Sequence, residues 1–551
     1  MAANEHPGPS SARPLASSDA VDGVPKVNPM ATTAPRPALR VAAVTRAKLA
    51  GPAALGALVL LALVLRTREL GIGFWIDEGL SVGISARPFG DIPDALRLDG
   101  SPPLYYLLLH LWMSVAGTSE EAVRALSVLF GLVAVPVAWW AARALFGTRS
   151  AWMAAVLAAT SPFLTQYAQE ARMYALTALL SLVASAAFAR TFAFEDDRRP
   201  WAIGFAVAFA AMLYTHNWAL FFGAACGAAW LFLVVRAPAH ERRALLVNGA
   251  IGFGGALLLY LPWIPITLYQ AAHTGAPWAQ SPDVVALLAA PGRMLGQLAQ
   301  IALVLAAGAG LAALFARRGG RLSPRGRAAA CLLTIAVLTV VLAWLASQIS
   351  PAWANRYLAA AVGPLLLAVA AGLGNAGRLG IAGLIVAAAL SAGDTAPDDK
   401  SNVRDVAEAI GPSLAPGDLV VSTQPEQVSV LAYYLPDGVR FATLTGEVSD
   451  TGVTDWRDGP ERLGETSAGR DLAPLLDRLR PGQRVALVTP IFSDVERWQA
   501  PWTELVRLRS GEWRQHLSND KRFAISTIEP VLPIERRPSA VQATVLVKTA
   551  G

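Results

Sequence analysis

PPLYYLLLHLWMSVAG, Pro102–Gly117, is an apolar stretch of ambiguous length, and whether it crosses a membrane decides how the rest of the chain is threaded. It is not alone. The chain of 551 residues is 54% hydrophobic and 16% charged, against about 25% charged for a soluble domain, and its mean hydropathy is +0.43. From about residue 50 to 393 long apolar runs follow one another, many of roughly 17–25 residues, the length that crosses a bilayer as a helix. They lack the alternation of barrel strands. Only helices or closed barrels satisfy their backbone polar groups in lipid, so the runs are read as helices.

Candidate spans are 50–66, 125–146, 151–167, 173–194, 201–216, 218–235, 244–267, 294–316, 328–348, 357–374 and 379–393. Suppose Pro102–Gly117 does not cross and the N-terminus is inside. The cytoplasmic loops then carry Arg143 and Arg149; Arg198 and Arg199; Arg236, Arg242 and Arg243; Arg317, Arg318, Arg321, Arg325 and Arg327; and Arg378. If the segment does cross, all of these move outside, against the positive-inside bias. The segment is therefore expected to lie in the plane of the outer interface, where Tyr105, Tyr106, His110 and Trp112 suit the headgroup level.

The expected fold is an α-helical polytopic membrane protein of about eleven spans, with in-plane outer helices and a small C-terminal α/β extracytoplasmic domain. Residues 1–48, rich in Ala, Pro and Ser, read as a disordered cytoplasmic lead with Arg36, Arg40, Arg46 and Lys48 before the first span. Residues 49–393 form the membrane part. Residues 394–551 change composition: after the polar linker Asp394–Lys400, short apolar runs alternate with helical patterns, which predicts a mostly parallel sheet. No Gly-rich phosphate fingerprint follows a strand there.

The net charge of +6 does not point to nucleic acid, because the arginines sit in short loops between spans. Cys226 and Cys331 fall inside apolar helices and read as small buried residues.

With this sidedness the chemically able residues fall on the outer side. The first outer loop holds Trp75-Ile76-Asp77-Glu78-Gly79. Its paired carboxylates could supply a general base for a hydroxyl, a poor nucleophile until its proton is taken, or hold a divalent cation; acidic residues also favour the first turn of a helix. Glu170 and Arg172 stand at the border between two spans. An Arg there offers a planar fork of donors to a lipid phosphate, or snorkels to headgroups. His216 and Asn217 form a tight outer turn, Arg356-Tyr357 opens a late span, and Tyr105 and Tyr106 face the same side; all are candidate substrate contacts or interfacial anchors.

Together WIDEG (Trp75–Gly79), SPPLYYLLLHLW (Ser101–Trp112), the R-x-L-S-x-L-x-G run at Arg124–Gly131, SPFLTQYAQEARMYAL (Ser161–Leu176) and Arg356-Tyr357 resemble a known superfamily. This is the GT-C superfamily of membrane glycosyltransferases that use polyprenyl-phosphate sugars. It includes the protein O-mannosyltransferases of glycosyltransferase family 39 and the transferase that adds aminoarabinose to lipid A. The resemblance covers about residues 55–375. It implies inverting transfer of a hexose or pentose from a polyprenyl-phosphate donor to a hydroxyl of a cell-envelope glycan, lipid or protein, at the outer face of the cell membrane. Asp77 looks like the catalytic base and Glu78 its neighbour or metal partner. Glu170, Arg172, Arg356 and Tyr357 align with the donor-phosphate border. The aminoarabinose transferase has a Lys before its paired prolines, where this chain has Ser101.

Two rival readings are weighed against this one. A transporter or lipid flippase would place ionisable groups near the bilayer midplane, often within paired repeats; here mid-span residues are nearly all Ala, Leu, Val and Gly. A non-catalytic scaffold is the third reading.

Overall fold

A computed structural model describes residues 37–195, 198–316, 322–391, 399–492, 495–530 and 537–549. Residues 54–551 form one compact unit. The lead up to residue 36, Arg317, Arg318, Arg321 and most of the linker 394–400 lie outside the described residues. From Pro37 the chain is helical, so the first helix begins within the segment expected to precede it.

The N-terminal half is a succession of helices: α1 (Pro37–Arg66), α2 (Ile76–Ser85), α3 (Ile92–Asp99), α4 (Leu104–Ala116), α5 (Glu120–Phe146), α6 (Thr148–Thr160), α7 (Pro162–Ala168) and α8 (Tyr174–Ala193). Local chemistry sets their ends. Ser119 caps α5 by accepting from Ala122 N, ahead of Glu120 and Glu121 in the first turn. Gly100, at φ +91°, ends α3 in the left-handed conformation. The apolar stretch 151–167 is two helices, not one span, because Ser161 caps α7 and Pro162 takes its first position.

Among the described residues six helices are long and apolar enough to cross a membrane, and a bent pair, Val284–Leu295 with Ala299–Phe315, makes up to seven. The 84° bend of that pair follows Gly296 at φ +96°. Other expected spans are shorter: α6 has 13 residues and Arg198–Leu213 has 16, about 20–24 Å at the helical rise. Helix α4 also has 13 residues, short of the roughly 30 Å hydrocarbon core. The placement of its tyrosines is corrected: Tyr105 and Tyr106 are fully buried within the protein, not turned to headgroups.

Charged residues of three segments meet where Arg327 reaches Glu195 at 3.2 Å and Glu241 at 3.9 Å.

The C-terminal region carries a six-stranded sheet in the order β3-β2-β1-β4-β6-β5. The strands are β1 (Leu419–Ser422), β2 (Arg440–Thr443), β3 (Gly446–Val448), β4 (Arg484–Pro490), β5 (Phe523–Glu529) and β6 (Val541–Lys548). The expected parallel sheet is mixed. Only β1 pairs in parallel, with β2 and β4. β3 returns on β2, and β6 lies antiparallel to both β4 and β5. Tight returns such as Thr443 to Gly446 are too short for the crossover a parallel pair needs.

Helix α2 lies between the membrane helices and this sheet domain, and glycines make that possible. A Cβ on Gly79 would stand 2.7–2.8 Å from Val430, including its backbone, and one on Gly83 would stand 2.6 Å from the Gly452 backbone. Gly79→Val therefore has to push the sheet domain off α2. It is expected to lose about 1–3 kcal/mol, the usual cost of overpacking. An earlier onset of proteolysis within residues 399–549 than in the parent checks this.

Candidate active site

The segments between successive helices meet in one cavity of about 500 Å³ under the sheet domain. Of the residues singled out from sequence, Asp77, Arg172, His216, Asn217, Arg356 and Tyr357 line it. Asp77 sits in the first turn of α2. Its Oδ2 lies 3.5 Å from Arg356 Nη2 and 3.8 Å from Arg172 Nε. Both distances exceed a hydrogen bond. Asp77 Oδ2, Arg172 Nε and Arg356 Nε are all buried without a hydrogen-bond partner among the described residues.

Arg172 is fixed from its other side: Nη1 donates to Asp77 O and Ser81 Oγ, both at 3.2 Å, and to Tyr106 OH at 3.0 Å. Arg356 is caged by aromatic rings, with Trp278 at 5.2 Å and Trp75 and Tyr357 each at 5.5 Å. A guanidinium held by rings keeps its N–H donors for a ligand.

Glu78 does not join this site. Its side chain is 1% exposed, against 17% for Asp77. Arg124 donates to both its oxygens, Nε at 2.8 Å and Nη2 at 2.5 Å, and Ala171 N donates to Oε1 at 2.8 Å. The catalytic and metal-partner roles expected for Glu78 are thus corrected: it is consumed in a buried ion pair. Neither do the residues fit a divalent cation. Among the described residues no three His, Cys, Asp or Glu side chains converge, and Asp77 already faces two guanidinium groups.

The R-x-L-S-x-L-x-G run explains itself here. Arg124 pairs with Glu78 and also donates to Leu70 O and Ile72 O. Ser127 Oγ donates to Arg172 O at 3.3 Å and meets Tyr105 OH at 3.2 Å. A Cβ on Gly131 would lie 2.9 Å from Ala168 and 3.4 Å from Arg66, and Arg66 donates to Gly131 O and Ala158 O. The run is a brace that sets the Asp77 and Arg172 backbones. Tyr105 is part of that brace and does not line the cavity, which corrects its reading as a substrate contact. Tyr106 touches the site through its hydroxyl, which accepts from Arg172.

Glu170 is buried behind the site and paired with Lys400. Burial pushes its carboxyl above the usual value, and Lys400 opposes that rise. Lys400 Nζ also stands 4.3 Å over the Trp75 ring. Nothing in the linker sequence marks this lysine, because only the docking of the sheet domain brings it within reach. Asp99, at the end of α3, also lines the cavity. Burial raises its carboxyl, and Arg172 and Ser101 lower it.

His216 accepts from Trp218 N at Nδ1 and packs edge-on to Tyr357 at 4.6 Å. Burial, then Arg172 and Arg356, hold its pKa down at about 3, from 6.5. A neutral His in the fold and a chargeable one in the unfolded chain make stability fall as pH drops below about 6.5. His216→Gln is expected to lose less melting temperature than the parent between pH 7 and pH 4.5. Equal losses would contradict the neutral assignment.

Residues 100–266 match the family model described as dolichyl-phosphate-mannose-protein mannosyltransferase. No curated protein sequence matches the chain. Among solved structures, ArnT from Cupriavidus metallidurans in the apo state superposes with a TM-score of 0.61 at 14% identity, over 91% of this chain and 98% of that one. The chain has the fold of ArnT. The same ArnT bound to undecaprenyl phosphate gives 0.59 at 13% identity, over 91% and 98%. The apo oligosaccharyltransferase from Archaeoglobus fulgidus gives 0.51 at 12% identity, over 86% of this chain and 72% of that one. The resemblance read from the short motifs is borne out in the fold, and among the described residues six helices are long and apolar enough to cross a membrane.

Proposed function

We propose that this chain is an inverting glycosyltransferase that moves a sugar from a polyprenyl-phosphate donor to an acceptor hydroxyl at the outer face of the cell membrane. The observation that carries the reading is the pairing at the cavity: a carboxylate with an unmet oxygen beside two guanidiniums with unmet N–H donors. The family match supports the donor class. The acceptor oxygen attacks the anomeric carbon while Asp77 takes its proton. The C1–O bond breaks, and its electron pair leaves on the lipid phosphate. Arg172 and Arg356 stabilise that charge most as it develops, because they are already oriented.

Position supports the same reading. A lipid-linked donor needs a site at the border, with its tail in the bilayer and its phosphate in a polar cavity. Charge is costly within a bilayer, and here it collects between helix ends. The outward orientation rests on the arginine-rich loops at the opposite end of the bundle. A transporter would instead keep ionisable groups along a mid-membrane path.

The test is purified protein in nanodiscs with radiolabelled polyprenyl-phosphate mannose, glucose, galactose and arabinose. At least one donor should release free polyprenyl phosphate. Release from none of them, together with flux of a labelled substrate in vesicles, would favour transport.

A further inference from the structure

The wall of the cavity opposite Asp77 belongs to the sheet domain, and the proposed reaction makes no use of it so far. It is built from Gln424 and Glu426, just after β1, with Trp456, Trp498, Thr503 and Ser539. Glu426 is 5% exposed. It accepts from Gln424 Nε2 at 2.9 Å and from Trp502 Nε1, at 3.2 Å to each oxygen. All of these donors are neutral. Among the described residues no Lys or Arg forms an ion pair with Glu426.

A buried carboxylate without a cation is costly, and burial accordingly pushes this carboxyl above its usual value, with Asp77 adding in the same direction. A carboxylate has about four acceptor directions, and the neutral donors fill only part of them. Glu426 lines the cavity, so the ligand suited to this wall brings neutral hydroxyl donors. Phosphate is disfavoured beside the Glu426 carboxylate and is drawn instead to Arg172 and Arg356. An acyl chain would bring no donor or acceptor to the Gln424 amide and Glu426 carboxylate that line this wall. Indole faces beside hydroxyl-binding groups suit a ring with one apolar face and a polar edge, which is a pyranose or furanose.

We infer that Glu426, Gln424 and Trp498 form a carbohydrate subsite that holds the acceptor, so that the acceptor of this chain is a glycan. Two hydroxyls of one sugar donate to Glu426, the ring's apolar face rests on Trp498, and a further hydroxyl points across the cavity to Asp77. The sheet domain thereby selects the acceptor while the membrane helices hold the donor. The word acceptor rests on the proposed transfer reaction; the sugar subsite stands on this wall alone.

The experiment is saturation-transfer NMR on the full chain in nanodiscs, free of sugar detergents, with methyl glycosides of mannose, glucose, galactose and arabinose. At least one should bind saturably, and Glu426→Gln and Trp498→Ala should each weaken it about tenfold or more, with the melting temperature of Glu426→Gln unchanged. Saturation by a serine peptide and by no glycoside would overturn the inference in favour of a protein acceptor. Binding of none of these probes, or glycoside binding indifferent to both variants, would overturn it too. If glycosides bind but no donor releases polyprenyl phosphate, the transferase reading fails and the subsite stands.

Discussion

Asp77→Asn is expected to cut the release of polyprenyl phosphate by about 10²–10⁴-fold, the usual contribution of a positioned general base. The amide fills the same space and cannot take a proton. It also removes a negative charge 3.5 Å and 3.8 Å from two guanidiniums, leaving them freer for a phosphate. The KM for donor should therefore stay level or fall while kcat collapses, and that split marks a residue acting on the reacting bond. The melting temperature should hardly move, because Asp77 Oδ2 has no hydrogen-bond partner among the described residues. A variant that kept more than a tenth of the parental rate would end the assignment of Asp77 as base.

The neighbouring carboxylate should behave in the opposite way. Arg124→Leu leaves Glu78 charged, 1% exposed and without its bidentate partner. Breaking a buried pair from one side costs about 3–5 kcal/mol, and this arginine also braces Leu70 O and Ile72 O. The variant is expected to melt well below the parent in detergent, as followed by fluorescence-detected size exclusion, and to lose activity through lost fold. Replacing both partners, as Glu78→Met with Arg124→Leu, should recover part of the melting temperature, since an apolar pair carries no stranded charge. A single variant as stable as the parent would refute the structural role. Two adjacent acids thus separate cleanly, one by rate and one by stability.

That separation lay outside what the sequence could supply. Asp77 and Glu78 are adjacent acids in one loop, and either could be the base. On helix α2 they point about 100° apart, by the 3.6-residue turn, one into the cavity and one into the bundle. The same geometry demoted Tyr105 and promoted Asp99, which stand only a few residues apart along the chain.

What the sequence determined by itself was the kind of molecule, a chain of apolar helices joined by short arginine-bearing loops. Apolar runs and arginine-rich loops are local properties, repeated along the chain, and they bias the threading without any tertiary contact. Six of the ten residues singled out proved to line one cavity, because segments between helices must emerge at one end or the other. The tertiary structure alone decided the rest. Lys400, Gln424, Glu426 and Trp498 lie far along the chain from Asp77, and no spacing rule links them to it. They come near it through the packing of the sheet domain on the helices, which at α2 runs close against Gly79 and Gly83. The short helices and the mixed sheet were also hidden, since a cap at Ser161 or a return at Thr443 changes a span or a strand direction within a few residues. The apolar helices were written in composition; the meeting of helix ends and sheet domain at one cavity was written in packing.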